Sequence, residues 1–330
     1  MQGATEANVA VTRRSAIVHP LEPERIHSAP SAADVLLSYF AELRAAGGPK
    51  PADYPALTRA CDDYAELIDR GRVSLGDLAR LRRTLGDALA EDTMQGLALK
   101  KPRGYAGDFE LIDRMYLRTV SRRPDVSRWD EYYHSQPAAQ AVRNRLNFFH
   151  AELNAVEKRF SDCGEINVLN VASGPGRDIL EFFVAHPESR IRFRCIEQDG
   201  EAVEYAKVLN APWPERLDFD QRNVLRFAAA EQKYRLIWSG GLFDYFSDRV
   251  FVHVLRRLLT ALDEGGRLIV GNFSKTNPTR SYMETLGDWN LEHRTPDELI
   301  ALAVEAGVVR DRIRISSEPA GVNLFLTVQA

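Results

Sequence analysis

Short apolar runs alternate with amphipathic stretches through the second half of the chain, whereas amphipathic stretches dominate the first half. Val168, Leu169 and Val171 form a run without helical spacing, which predicts a strand buried on both faces. Ser173-Gly174-Pro175-Gly176 breaks that strand, and Asp178 opens the run Ile179-Leu180-Glu181-Phe182-Phe183, which predicts a helix. The glycines let the backbone turn sharply and bring a ligand close. Strand, Gly-rich turn and helix predict the nucleotide-binding half of a doubly wound sheet. Further strands are expected over 191–196, 217–221, 234–238 and 267–270, with closing strands over 312–317 and 322–328. Helices are expected over 200–209, capped by Asp199, over 250–259, and after Thr295, where Pro296 takes the first helical position. His253 lies in the second of these and is read as a packed histidine on an apolar face.

Residues 1–30 are polar and aperiodic and are expected to be flexible. From Ser31 the pattern changes: Ser31 and Asp34 cap a helix carrying Val35, Leu36, Tyr39, Phe40 and Leu43, and Gly47-Gly48-Pro49 ends it. Helical spacing continues over 54–70 and over 74–92, the latter with Leu75, Leu78, Leu81, Leu85 and Leu89 on one stripe. Residues 31–125 are therefore read as a helical lid or oligomerisation region. Residues 126–330 are read as the sheet domain, entered through a further helical stretch over 127–160.

The composition is that of an ordinary globular chain. It has 330 residues, 45% of them hydrophobic and 27% charged, with a net charge of −4. A phosphate backbone asks for a basic excess, so nucleic acid is not expected as a partner. Cys61, Cys163 and Cys195 are widely spaced and fit no disulfide or metal framework, which suits a reducing cytoplasmic setting. Cys195, in a buried strand, reads as a small apolar filler. No segment has the apolar length of a membrane span, and the two N-terminal arginines precede no apolar core of the secretory kind.

Glu197 ends the second strand roughly 20 residues after the Gly-rich turn, where an acid can accept both hydroxyls of a ribose. The third glycine of a dinucleotide fingerprint is missing, because Gly176 is followed by Arg177-Asp178-Ile179. That disfavours a pyrophosphate and leaves a nucleoside as the better fit. Ser239-Gly240-Gly241-Leu242-Phe243-Asp244-Tyr245 follows the fourth strand, where open α/β sheets place ligands; Phe243, Asp244 and Tyr245 are expected on the substrate side. A polar loop over 275–280 leads to Tyr282, Met283 and Trp289, which are expected to wall an acceptor pocket. Lys101–Asp108 combines Pro102, Gly104 and Gly107 with Tyr105 and Asp108. It reads either as a turn in which Asp108 caps the next helix, or as a lid over the site.

Ala172-Ser173-Gly174-Pro175-Gly176-Arg177-Asp178, Glu197, Asn223-Val224 and Ser239-Gly240 resemble class I S-adenosylmethionine (SAM) dependent methyltransferases. The segment Lys100-Lys101-Pro102-Arg103-Gly104-Tyr105-Ala106-Gly107-Asp108 is similar to a bacterial subfamily described as 3-hydroxypalmitic acid methyl ester (extracellular factor) biosynthesis proteins, and to azetidine-2-carboxylate synthases. The resemblance implies an α/β, Rossmann-like sheet of seven strands with the last pair antiparallel. It also implies SAM as cofactor or as the substrate itself. Carried over residue by residue, it makes Ala172, Ser173, Gly174, Gly176, Asp178, Glu197, Gln198, Asn223, Val224, Ser239 and Gly240 cofactor-binding. Arg143 sits where related enzymes place a cation for the methionine carboxylate; the alternative is a solvated surface arginine.

No metal is expected, and no Gly-Lys-Ser/Thr phosphate loop or Gly-x-Ser-x-Gly elbow is present. Methyl transfer to a small-molecule metabolite, with carboxyl oxygen as an acceptor, is the leading expectation. An alternative is intramolecular displacement, in which SAM's own amine closes to azetidine-2-carboxylate and methylthioadenosine leaves. Another is a catalytically silent SAM-binding partner subunit. Tyr105, Asp108, Tyr133, Asn144 and Tyr245 are the candidate catalytic groups. The partner expected is a small molecule, with no membrane span and with homodimerisation through the helical region.

Overall fold

The structure is a computed structural model that describes residues 31–227 and 232–330; the expected flexible stretch 1–30 lies outside the described residues. The first part is helical: α1 (Ala32–Ala45), α2 (Tyr54–Asp69), α3 (Leu75–Leu85), α4 (Met94–Lys100), α5 (Phe109–Leu117) and α6 (Ser127–Ser135) lead to the long α7 (Pro137–Arg159). Then β1 (Ile166–Val171), α8 (Arg177–Ala185), β2 (Ile191–Glu197), α9 (Gly200–Leu209), β3 (Leu217–Gln221), β4 (Tyr234–Ser239), α10 (Asp248–Leu259) and β5 (Leu262–Phe273) alternate. The chain closes with α11 (Arg280–Gly287), α12 (Pro296–Glu305), β6 (Ile313–Ser317) and β7 (Asn323–Gln329).

The strands form one sheet in the order β3-β2-β1-β4-β5-β7-β6. β1 to β5 pair in parallel, whereas β7 runs antiparallel to both β5 and β6. The expected seven-stranded sheet with an antiparallel closing pair is therefore present. β1 lies between β2 and β4, so the strand order reverses there and the crevice outside their carboxyl ends is the natural place for a ligand. β1 and β4 are buried along nearly their whole length, which is why they read as near-continuous apolar runs.

Two apolar layers sandwich the sheet. α7 and α8 supply Phe149, Leu153, Ile179, Phe182 and Phe183 to one face, against Val168, Phe193, Cys195 and Trp238. α10 and α12 cover the other face with Phe251, Leu255, Leu299 and Leu302. A third core belongs to the helical region and recruits Tyr282, Met283 and Leu286 of α11 together with Trp289. The C-terminal half thus sends one helix back among α2, α4 and α6.

Several local expectations change. The helix expected over 74–92 stops at Leu85, because Gly86 turns left-handed (φ 51°) and the Arg44 guanidinium lies 2.7 Å from where a Cβ would be. A 3-10 turn over Gly86–Leu89 follows, and α-helix resumes as α4, whose N-cap Thr93 accepts from Gly96 N. β5 begins earlier than expected, with a register irregularity between Tyr234 and Leu236 of its partner strand. His253 is exposed rather than packed. The stripe buried by α10 is Phe251, Val252, Val254, Leu255 and Leu258, and position 253 points away from it.

Candidate functional site

A cavity of about 1380 Å³ opens at the carboxyl ends of β1, β2 and β4. At one end lie Ala172, Ser173 and Gly174 after β1, Glu197 and Gln198 at the end of β2, and Asn223 and Val224 after β3. Ala172 and Gly174 are both left-handed (φ 54° and 55°), so the turn departs sharply from the strand. A Cβ on Gly174 would meet no protein atom within 4 Å, so the space beside that glycine is cavity. Gly176 differs: its Cβ would press on Asn210 Nδ2 at 3.0 Å and Ala206 Cβ at 3.2 Å, and it is outside the lining. One glycine faces the cavity and the other lets the turn pack on α9.

The Glu197 carboxylate is buried and organised by backbone. Oε2 accepts from Gly174 N at 2.9 Å, and Oε1 accepts from Gln198 N at 2.8 Å and Asp199 N at 3.0 Å. Burial raises its pKa, and these three donors offset part of that rise. A carboxylate offers about four acceptor positions, so one remains for a further donor. Asp199 caps α9 through Oδ1, as expected, and its Oδ2 accepts from the Tyr105 hydroxyl at 2.8 Å. Asn223 caps a short turn through Leu225 N and donates to Gln198 Oε1 at 3.0 Å.

The other end is assembled from distant parts of the chain. Gly240, Gly241, Asp244 and Tyr245 follow β4, Arg145 comes from α7, and Trp289 to Leu291 follow α11. The segment 101–108 closes over this space. Lys101 Nζ donates to Asp288 O at 2.6 Å and Oδ2 at 2.7 Å, and Tyr245 Oη donates to Ala106 O at 2.8 Å while accepting from Trp289 Nε1 at 2.9 Å. Gly107 seats the loop on that aromatic pair, since a Cβ there would lie 2.6 Å from both Trp289 and the Tyr245 hydroxyl.

Of the residues expected from sequence, Tyr105, Tyr245, Ala172, Ser173, Gly174, Asp178, Glu197, Gln198, Asn223, Val224 and Gly240 line this one cavity. The others lie elsewhere. Asp108 is buried as the N-cap of α5, accepting from Leu111 N at 2.9 Å. Tyr133 packs edge-on against Tyr282 and faces a separate cavity of about 20 Å³. Asn144 Nδ2 donates to Glu318 Oε2 at 2.8 Å and so braces the turn between β6 and β7. Ser239 is fully buried outside the lining. Arg143 donates to His134 O at 2.8 Å at the end of α6, where burial and Arg118 lower its pKa to about 10.

Arg82, Arg145 and Arg222 line the cavity, and the one that α7 brings beside Gly240 is Arg145. It donates to Gly240 O at 3.3 Å and to the Tyr116 hydroxyl at 3.4 Å, both long for a guanidinium, and its exposed surface faces the cavity. Burial opposes its charge, but Tyr116, Asp244 and Asp178 outweigh that and raise its pKa. A sign of this was present in the sequence: Arg145 stands three residues after Val142 and four before Phe149, so it is a charge on the buried stripe of α7. Asn170 is the second residue missed. It is a polar side chain in an apolar strand, and its Nδ2 is buried with no hydrogen-bond partner. The Ser173 hydroxyl is likewise buried and unpartnered, and both residues belong to the cavity wall.

No protein-family model matches the sequence, and no curated protein matches it. Among solved structures, one from Bordetella parapertussis, described as a "possible exported protein", is 18% identical, with a TM-score of 0.59 over 91% of this chain and 97% of that one. The fold is a Rossmann-like α/β sheet of seven strands with its last pair antiparallel. Two structures with lower TM-scores are named as methyltransferases. The N-methyltransferase NodS from Bradyrhizobium japonicum, in complex with S-adenosylhomocysteine (SAH), is 13% identical, with a TM-score of 0.41 over 67% of this chain and 97% of that one. Magnesium protoporphyrin IX methyltransferase from Synechocystis, with bound SAH, is 11% identical, with a TM-score of 0.45 over 58% of this chain and 86% of that one. No helix among the described residues is long and apolar enough to cross a membrane.

Proposed function

We propose that this protein is a SAM-dependent methyltransferase acting on a small molecule. The observation that carries the reading is a single cavity with an acid and an open glycine at one end and a half-buried arginine at the other. A nucleoside joined to an amino acid asks for those groups in that arrangement. Glu197 has one acceptor position left for a ribose hydroxyl, Asn223 and Gln198 border the base, and Arg145 takes the carboxylate as a planar two-point donor.

When bound, SAM supplies a methyl carbon on a positively charged sulfur, so the chain itself must orient the reactants and exclude water. Tyr105, Tyr245 and Trp289 offer aromatic faces and hydroxyl groups beside that centre, and the 101–108 segment serves as its lid. The volume of about 1380 Å³ exceeds the roughly 300–1,000 Å³ usual for one small ligand, which leaves room for an acceptor beside SAM. Incubation with SAM and a panel of metabolite acids, amines and phenols should yield SAH. Methylthioadenosine as the only product, formed from SAM alone, would replace methyl transfer by the intramolecular displacement.

A further inference from the structure

One cation on the cavity wall has no counter-ion. Four basic side chains line the cavity: Arg82, Lys101, Arg145 and Arg222. Lys101 is paired with Asp288, Arg222 Nε donates to Asp220 Oδ1 at 3.2 Å, and Arg145 is taken by the SAM carboxylate in the reading above. Arg82 differs. It is exposed, and among the described residues no hydrogen bond or ion pair reaches its guanidinium. Its neighbour Arg80 is paired twice, with Asp34 and with Asp77. The helix dipole suits a cation in the last turn of α3 at Arg82 and Arg83 alike, but only Arg82 lines the cavity.

Leu78, Ala79 and Arg82 recur at one-turn spacing, so one face of α3 lines the cavity, while Leu81 and Leu85 are fully buried on another. Leu78 and Leu291 pack on the helical core that holds Trp289, so this face of α3 belongs to the Trp289 end of the cavity and not to the Glu197 end. The wall there is apolar as far as Arg82, which stands four residues beyond Leu78, about 6 Å along the helix axis.

Resting on the SAM reading, we infer that the methyl acceptor is an amphiphilic acid whose carboxylate is held by Arg82 at the cavity mouth and is not the group methylated. Its apolar body lies on Leu78, Ala79 and Leu291, and a hydroxyl or amine at its far end meets the methyl carbon. A guanidinium grips a carboxylate at two points, which fixes the direction in which the acceptor enters. Arg82 is exposed, so an anion beside it stays hydrated, whereas methyl transfer asks for a centre from which water is excluded. In the transfer the new O–C or N–C bond forms as the S–C bond breaks. Sulfur keeps the electron pair, SAH is left, and the acceptor's proton goes to water.

The test is calorimetry on the full-length, SAH-saturated protein with 4-hydroxyphenylacetate and 8-hydroxyoctanoate, each beside its neutral primary amide. At least one acid should bind about fivefold or more tighter than its amide, the margin of a favourable guanidinium–carboxylate pair near the surface. Arg82→Gln should erase that margin while the affinities of the amide and of SAH stay within twofold, and Arg82→Lys should keep part of it. Any methylated product should retain its free carboxylate. Amides that bind as tightly as the acids overturn the assignment, as does a margin that survives Arg82→Gln, or a methyl ester as product. Loss of SAH affinity in Arg82→Gln also overturns it, because the guanidinium would then serve the cofactor. Wild-type protein that does not bind SAH strikes the SAM reading and this one together. SAH binding in which neither acid binds, or neither exceeds its amide, strikes only this one.

Discussion

The two ends of the cavity are built differently. The Gly174–Glu197 end comes from consecutive residues at the tips of neighbouring parallel strands, and backbone amides hold its carboxylate. The Tyr245–Trp289 end comes from side chains that meet only after the helical region docks. Tyr245 reaches Ala106 across 139 residues, and Lys101 reaches Asp288 across 187. A strand-end site is fixed by the sheet, which places its residues by register. A site closed by loops depends on packing between layers and can open without unfolding the sheet. Substitutions in the Gly174–Glu197 turn should therefore remove binding, while those in the 101–108 segment and its seat on Tyr245 and Trp289 should change access and dynamics.

The largest effect is expected at Gly174. Its φ of 55° strains any L side chain, and the open space beside it is cavity, so valine fills the place of the ligand without disturbing other protein atoms. Gly174→Val should abolish measurable SAH binding while the melting temperature falls only slightly. Normal SAH affinity in this variant would show that the turn does not face the ligand. Glu197→Ala comes next. It strips a carboxylate from three backbone donors, so it should weaken SAH at least tenfold and also cost on the order of 3 kcal/mol of stability by denaturant unfolding. A tenfold loss of affinity with unchanged stability would mean that the amides find other partners.

The same division explains what the sequence makes legible. Parallel strands buried on both faces are apolar runs, and a Gly-rich turn with an acid one strand later is a local pattern, so the sheet and the Glu197 end can be read residue by residue. The other end depends on the faces of helices. Arg143 and Arg145 stand two residues apart and point to different sides of α7; only the second reaches the cavity, and choosing between them requires knowing which stripe the sheet buries. Tyr133 and Asn144 carry suitable chemistry, but their contacts are fixed by α11 and by the β6–β7 turn, which sequence spacing does not reveal. Likewise, Asp108 as a helix cap is a local pattern, whereas the seat of Gly107 on Trp289 and Tyr245 joins three separate segments.

A smaller effect concerns the pH dependence of the free protein. The folded-state pKa of Asp244 is about 7, far above the roughly 3.9 of an unfolded aspartate, so the folded chain keeps a proton that the unfolded chain has lost. Stability from this group therefore falls as pH rises between those two values, and the full penalty is present above about 7. Asp178, pushed up to about 6 by burial, acts in the same direction. Asp244→Asn removes one of these penalties. Its melting temperature should exceed that of the wild type by a few degrees at pH 8, with the gap closing toward pH 4. A gap of the same size at both pH values would point to packing rather than ionisation.

The smallest effect separates the two ends most cleanly. The Tyr105 hydroxyl donates to Asp199 Oδ2 at 2.8 Å and, with the Arg103–Glu201 ion pair at 2.8 Å, ties the 101–108 segment to the Glu197 side of the cavity. Its fastenings at Lys101 and Ala106 lie on the Trp289 side. Tyr105→Phe keeps the ring and removes one charge-assisted hydrogen bond, worth about 1.5 kcal/mol in a half-buried setting. That free energy corresponds to roughly a tenfold rise in the population of the opened segment. Amide hydrogen exchange over 101–108 should accelerate by about that factor, while SAH affinity stays within threefold because Glu197 and the Gly174 turn are untouched. Adding SAH should slow exchange in both proteins if the segment closes over the ligand. Exchange that is equally fast with and without SAH would make the segment a fixed inter-helix turn. A loss of SAH affinity as large as that in Glu197→Ala would place Tyr105 in the binding end and dissolve the contrast between the two.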